Sequence, residues 1–188
     1  MAEVKTALVV GNGASLNQYR EYIVYNQWDI RIGTKLQFED PDFEFDYITA
    51  ADEPPVLYLL EKYPDWENRI ITRQIWRSKH RMSGKAPNLL CPETFHKGDV
   101  SGTIGVKWAI EQGATHITTV AMDSLAGEWD KNTVWEWSGK IDEQVFKPDL
   151  LKAKRAGLLN TWGNQLRELE RIHPEIEWRH RHIGNINA

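Results

Sequence analysis

The sequence predicts an α/β fold, a single Rossmann-like domain with a mostly parallel sheet and helices on both faces. Three observations carry that reading. Short apolar, β-branched runs alternate with longer segments of helical period. The first run passes through two glycines straight into a helix. The length, 188 residues, suits one core, because domains run to roughly 100–200 residues.

Taken in order, Thr6–Val10 reads as the first strand and Ser15–Tyr25 as the helix after the glycine turn. Strands follow at Asp29–Gly33 and Asp46–Ala50, then a helix at Pro55–Lys62, where prolines suit a first turn. Arg69–Thr72 and Asn88–Cys91 are the next short β runs, separated by the irregular stretch Ile75–Pro87. Gly102–Gln112 is an amphipathic helix stopped by Gly113, and His116–Met122 is the strand it feeds. Pro148–Ile172 reads as a long helix, since Leu151, Leu158, Leu159, Trp162, Leu166 and Leu169 recur at spacings of three, four and seven. Gly157 and Gly163 would bend it, and Glu175–His180 closes the set as a strand. Ser124–Lys147 is irregular, which in such folds is where lids and insertions sit.

Composition narrows the function classes. Apolar residues at 41% and charged residues at 27% describe a globular chain, unusual only in its nine tryptophans. The single cysteine, Cys91, excludes an internal disulfide and a cysteine-based zinc cluster. With neither a basic-then-apolar leader nor an apolar run of about 20 residues, the expectation is a cytoplasmic protein without a membrane partner. A formal charge of −4 argues against bulk nucleic-acid binding.

Two segments carry the candidate chemistry. In the first, Gly11-Asn12-Gly13 joins a strand to a helix that opens Ser15-Leu16-Asn17-Gln18, a capping-box pattern. The glycines permit positive φ and close approach of a ligand, and a helix start offers N–H groups and positive partial charge, a combination that suits phosphate. It is not the dinucleotide fingerprint, because Leu16 holds the third glycine position, and it lacks the lysine of a P-loop. In the second, Ser101-Gly102-Thr103 opens a helix that leads to a strand ending in Asp123. In open α/β sheets ligands sit beyond the carboxyl ends of strands, so the Gly11 loop, Asp52 and Asp123 can share one crevice.

Together these segments resemble the family 42 sialyltransferases, which open with a strand followed by "GNGPSL" and later carry a serine-glycine helix start and a strand ending in "GxD". The matching residues are Gly11 to Leu16, Ser101-Gly102 and Ala121-Met122-Asp123. The motifs are also similar to a wider group of bacterial, archaeal and phage proteins that includes the archaeal 6-hydroxymethylpterin diphosphokinase. The resemblance implies that Asn12, Ser101, Gly102 and Thr103 contact the cytidine monophosphate part of a nucleotide-sugar donor, and Gly11, Gly13 and Ser15 of the same loop are candidate contacts to the donor phosphate through their backbone N–H groups. It also implies transfer of that sugar, with no further cofactor, to an acceptor the sequence does not identify. The chain departs from the family where tyrosines should follow the aspartate and a lid histidine should act as base: Ser124 to Trp129 has no tyrosine, and no histidine occurs between His116 and His173. His96 or an aspartate would have to serve as general base.

Asp52 and Asp123 are a carboxylate pair that, with a diphosphate, suits magnesium, as the diphosphokinase alternative requires. Asp52, ahead of Glu53-Pro54-Pro55, equally suits a helix cap. Asp40-Pro41-Asp42 has the Asp-x-Asp form used by metal-dependent transferases. The basic run 73–85, with Arg73, Arg77, Lys79, Arg81 and Lys85 around Trp76, reads as a loop for phosphate or a nucleic-acid strand, or as plain solvated surface. His180 and His182 would share a strand face but lack a third metal ligand. Trp129, Trp135 and Trp137 suit an acceptor platform, a subunit contact in a homo-oligomer, or a hairpin folded on the core. A third class of reading is a non-catalytic binding or assembly module.

Overall fold

The computed structural model describes residues 3–35, 42–122 and 161–181. Six strands, β1 (Thr6–Val10), β2 (Ile30–Thr34), β3 (Tyr47–Ala50), β4 (Ile70–Thr72), β5 (His116–Val120) and β6 (Glu177–Arg181), form one parallel sheet in the order β4-β3-β2-β1-β5-β6. The helices are α1 (Arg20–Tyr25), α2 (Glu53–Lys62), α3 (Gln74–Met82), α4 (Ser101–Glu111) and α5 (Thr161–Ile172), with 3-10 turns at Ala14–Tyr19 and Pro64–Arg69.

The continuous apolar run of β1 follows from burial on both faces. Ala7 and Val9 enter one core and Leu8 and Val10 the other, all at 0% exposure. On the first face Ile104, Val106 and Ala109 of α4 meet Leu166 and Leu169 of α5. On the second, Leu16, Tyr19 and Ile23 pack with Val56 and Leu59 of α2. Helices therefore cover both faces, as the α/β reading requires. Each fully buried side chain such as Leu8, Ile32 or Ile104 contributes about 1.5–3 kcal/mol by leaving water. α4 lies close on the central strands: a Cβ at Gly105 would sit 3.2 Å from methyls of Val9, Ile32 and Thr49.

Four expectations are corrected. Asn88–Cys91 forms only a single parallel bridge, Ile71 to Leu90, because Pro87 and Pro92 on either side cannot donate to a ladder. The stretch 75–87 is not irregular throughout. It holds most of α3, which is rich in basic residues and in which His80 is the one buried side chain. The helix expected at Ser15 begins at Ala14 as a 3-10 turn with Gly13 as N-cap and no side-chain capping bond. Ser15, inside the turn, is fully buried. The strand expected to reach Met122 stops at Val120, since Ala121 turns into the left-handed region at φ 56°. Of the long helix expected at 148–172, residues 161–172 are helical and the rest lie outside the described residues.

Candidate functional site

β1 has β2 on one side and β5 on the other, so the chain winds outward from β1 in one direction and returns to wind in the other. The crevice beyond the carboxyl ends of strands at such a switch point is where open α/β sheets take ligands. Along this edge lie the Gly11–Gly13 loop, Lys35 after β2, Asp52 after β3, Arg73 after β4 and the start of α4.

The β1–β5 half closes on itself. The Gly11 N–H donates to the Val120 carbonyl at 2.8 Å and the Gly13 N–H to the Ala121 carbonyl at 2.9 Å. A Cβ at Gly11 would lie 2.4 Å from the Ala121 oxygen and 2.6 Å from Met122 Sδ. The close approach that demands glycine here comes from the protein's own backbone. Positive φ is not the reason, since the positive-φ glycines among the described residues are Gly84 and Gly113. Asn12 reaches sideways, its Oδ1 accepting the Thr34 hydroxyl at 3.1 Å.

The start of α4 is also engaged. Ser101 Oγ accepts the Ala51 N–H at 3.0 Å, tying the helix to the end of β3. Gln165, from α5, lays its amide oxygen against the first turn, where it accepts the Val100 N–H at 3.3 Å and the Thr103 hydroxyl. Its amide nitrogen donates to the Gly98 carbonyl at 2.8 Å. A neutral side chain thus covers part of the helix terminus that the sequence marks as anion-friendly. Gln165 had no signal in the sequence, being more than sixty positions from the turn it caps.

The β2–β4 half is different. Lys35 leaves β2 at φ 53°, its N–H bonded to the Thr49 carbonyl at 2.8 Å. Its side chain is 17% exposed, and its Nζ lies 4.0 Å from Asp52 Oδ2. Burial pushes the Lys35 ammonium below the usual lysine range, with Asp52 opposing the fall and Arg73 adding to it. Asp52 stands at the N-cap of α2 but makes no side-chain capping bond, and its side chain is 47% exposed. Arg73 donates from Nε at 3.3 Å and Nη2 at 3.1 Å to the Asp99 carbonyl. The Trp76 indole N–H donates to the Ala51 carbonyl at 3.1 Å, which pins α3 to the end of β3.

Asp99, ahead of α4, is a buried carboxylate whose Oδ2 accepts Lys107 Nζ at 2.7 Å and the His96 N–H at 2.7 Å. His96 is exposed, its Nδ1 accepting the Gly98 N–H at 3.4 Å. Asp123, the insertion 124–147 with Trp129, Trp135 and Trp137, and His182 lie outside the described residues, as does Asp40. Asp42 pairs with Arg20 at 2.9 Å. His180 is held between the Thr119 hydroxyl at 2.7 Å and Glu170 at 2.9 Å. Among the described residues no cluster of three or more histidine, cysteine or carboxylate side chains is placed for a metal ion. Burial pushes the Cys91 thiol up to about 11, so it holds no thiolate at neutral pH. The basic run is helical, and Arg77 and Arg81 line a cleft of about 650 Å³ with Asp65, Glu67 and Asn88. No helix among the described residues is long and apolar enough to cross a membrane.

No protein-family model matches the sequence, and no curated protein matches it. Among solved structures, the sialyltransferase CstII from Campylobacter jejuni, in complex with the substrate analogue cytidine-5'-monophosphate, is similar at a TM-score of 0.31. The two are 14% identical over 76% of each chain.

Proposed function

We propose that this chain binds a nucleotide or a nucleotide-linked sugar at the carboxyl edge of its sheet and transfers the sugar to an acceptor hydroxyl. The observation that carries this reading is the gathering, along the carboxyl edge from the switch point outward to β4, of Asn12, Lys35, Asp52, Arg73 and the start of α4 from five separate stretches of chain. In the reaction, the acceptor oxygen bonds to the anomeric carbon while the bond from that carbon to the phosphate oxygen breaks. The electron pair leaves with the phosphate, and the acceptor proton passes to His96 or to an aspartate. Cations beside the leaving phosphate stabilise the charge that develops there. Asp123 is assigned to position the sugar or ribose.

A second reading, magnesium-dependent diphosphotransfer, is favoured by one observation: Asp52 is half exposed and makes no capping bond, so its carboxylate is available to a hydrated cation. Lys35, 4.0 Å away, would compete with that ion.

Both readings meet in a thermal-shift series on the full chain, using cytidine, uridine, guanosine and adenosine nucleotides and their sugar conjugates with and without magnesium. Ligand at about 100 times its Kd adds about 2.7 kcal/mol, a rise in Tm of roughly 5–10 °C. A shift without magnesium, followed by release of nucleoside monophosphate from the matching sugar conjugate, is the expected result. A shift only with ATP and magnesium would transfer the assignment to diphosphotransfer. Binding without any turnover leaves a binding module, and the absence of any shift overturns both enzymatic readings.

A further inference from the structure

We propose that Lys35 and Arg73 form the seat of a phosphoryl anion, with Asp52 between them taking a hydroxyl of the same ligand, so that the site suits a phosphorylated sugar such as a ribose phosphate. This rests on the nucleotide reading and moves its phosphate away from the glycine loop.

Gly11 and Gly13 direct their N–H groups at the Val120 and Ala121 carbonyls, and Gln165 occupies the first turn of α4. The donors that remain lie one to three strands outward. Lys35 Nζ has no hydrogen bond among the described residues; its nearest carboxylate oxygen, at 4.0 Å, is beyond the 2.7–3.2 Å or so of a hydrogen bond. The side chain is mostly buried while its ammonium still reaches solvent, so its three donors are open to an incoming acceptor. Lys35 is also one of two non-glycine residues in the left-handed region among those described, and the Thr49 carbonyl holds it there. Strained residues of this kind persist where the surroundings over-determine them, commonly at ligand sites.

Arg73 is positioned rather than loose. Two of its nitrogens are taken by the Asp99 carbonyl, and Asp99 is anchored in turn by Lys107 and the His96 N–H. Nη1 carries no hydrogen bond among the described residues, which leaves part of the guanidinium fork for a ligand. Asp52 follows β3, the strand that lies between β2 and β4, so the three side chains line adjacent strand ends about 4.8 Å apart. Two cations and one carboxylate sum to +1, the balance expected for an anion that also carries a hydroxyl. The depressed affinity of Lys35 for its proton agrees, because a bound anion would reverse it.

The test is pulse acetylation of the unmodified full chain, read by mass spectrometry at Lys35 with the exposed Lys85 as reference. The probes are inorganic diphosphate, the four nucleoside 5'-monophosphates and the corresponding nucleosides. At ten times the Kd, diphosphate and the matching monophosphate should slow Lys35 labelling about tenfold and leave Lys85 unchanged. Nucleosides should not protect. Lys35→Met should weaken diphosphate binding about 10- to 100-fold, and Lys35→Arg should restore most of it. A nucleotide that raises the Tm while Lys35 labels at its free rate overturns the assignment and leaves the nucleotide reading standing. Protection by diphosphate with no nucleotide binding does the reverse: the anion seat stands and the nucleotide reading falls. Equal diphosphate affinity in wild type and Lys35→Met, or no protection by any phosphate, overturns the assignment outright.

Discussion

The two halves of the carboxyl edge are built from the same material, strand ends followed by short turns, yet they are finished in opposite ways. Between β1 and β5, backbone meets backbone: the Gly11 and Gly13 amides bond to Val120 and Ala121, and no Cβ fits at Gly11. From β2 to β4 the strand ends carry Lys35, Asp52 and Arg73, with the Lys35–Asp52 pair held at 4.0 Å, too far for a direct hydrogen bond. Closure satisfies polar groups at once and leaves little for a ligand, whereas separated charges stay costly until something joins them. A glycine-rich turn after a first strand is therefore a sign of tight packing as readily as of phosphate.

The largest effect should come from the support beneath the open half. Asp99→Ala would leave the mostly buried Lys107 ammonium with only the Thr94 carbonyl and no counter-charge, and free the His96 N–H, a loss of about 3 kcal/mol by denaturant midpoint. A loss below about 1 kcal/mol would mean that this pair does not hold the turn on which Arg73 rests. Next is Gly11→Ala in the closed half, where the new methyl meets a carbonyl that cannot swing aside; about 3 kcal/mol is expected. Near-neutral stability there would show that Ala121 and Met122 yield, and the contrast between the halves would weaken.

Gln165→Ala tests whether the start of α4 belongs with the closed half. About 1 kcal/mol should be lost, with inorganic phosphate restoring part of it as the helix terminus is uncovered. Indifference to phosphate would place the anion site wholly elsewhere. The smallest effect is a pH dependence. Because the folded pKa of Lys35 lies below its ordinary 10.5, the unfolded chain binds that proton more tightly, and stability rises with pH between the two values. Below that window the penalty is constant. Measured against Lys35→Met, wild-type stability should climb as pH approaches 10.5, and a flat difference would deny that the amine is partly desolvated.

Much of the fold was legible because a parallel strand buried on both faces must be apolar throughout. Residues 7–10 and 70–71 follow that rule, β5 instead buries β-branched Thr118 and Thr119, and the sheet falls within one or two residues of the expected strands. α3 was missed because its basic residues read as solvated surface, its apolar Ile75 and Met82 are exposed, and its one buried side chain, His80, is polar. At the site, the sequence pointed to the Gly11 loop and to Ser101, and both lie at the switch edge. It pointed past Lys35, which is one lysine among many until its neighbours are known.

By itself the sequence determined the α/β class, the order of most elements, and the strand-to-helix turn at Gly11 and helix start at Ser101 that meet at the edge, because burial and turn chemistry act over a few neighbouring residues. Only the tertiary structure decided what those turns are bonded to. Gly11 meets Ala121 more than a hundred residues away, Gln165 reaches back to Thr103, and Lys35 comes within 4.0 Å of Asp52 across adjacent strands. Whether a polar group is spent or available depends on contacts that only the closed sheet can bring together, and no local pattern records them.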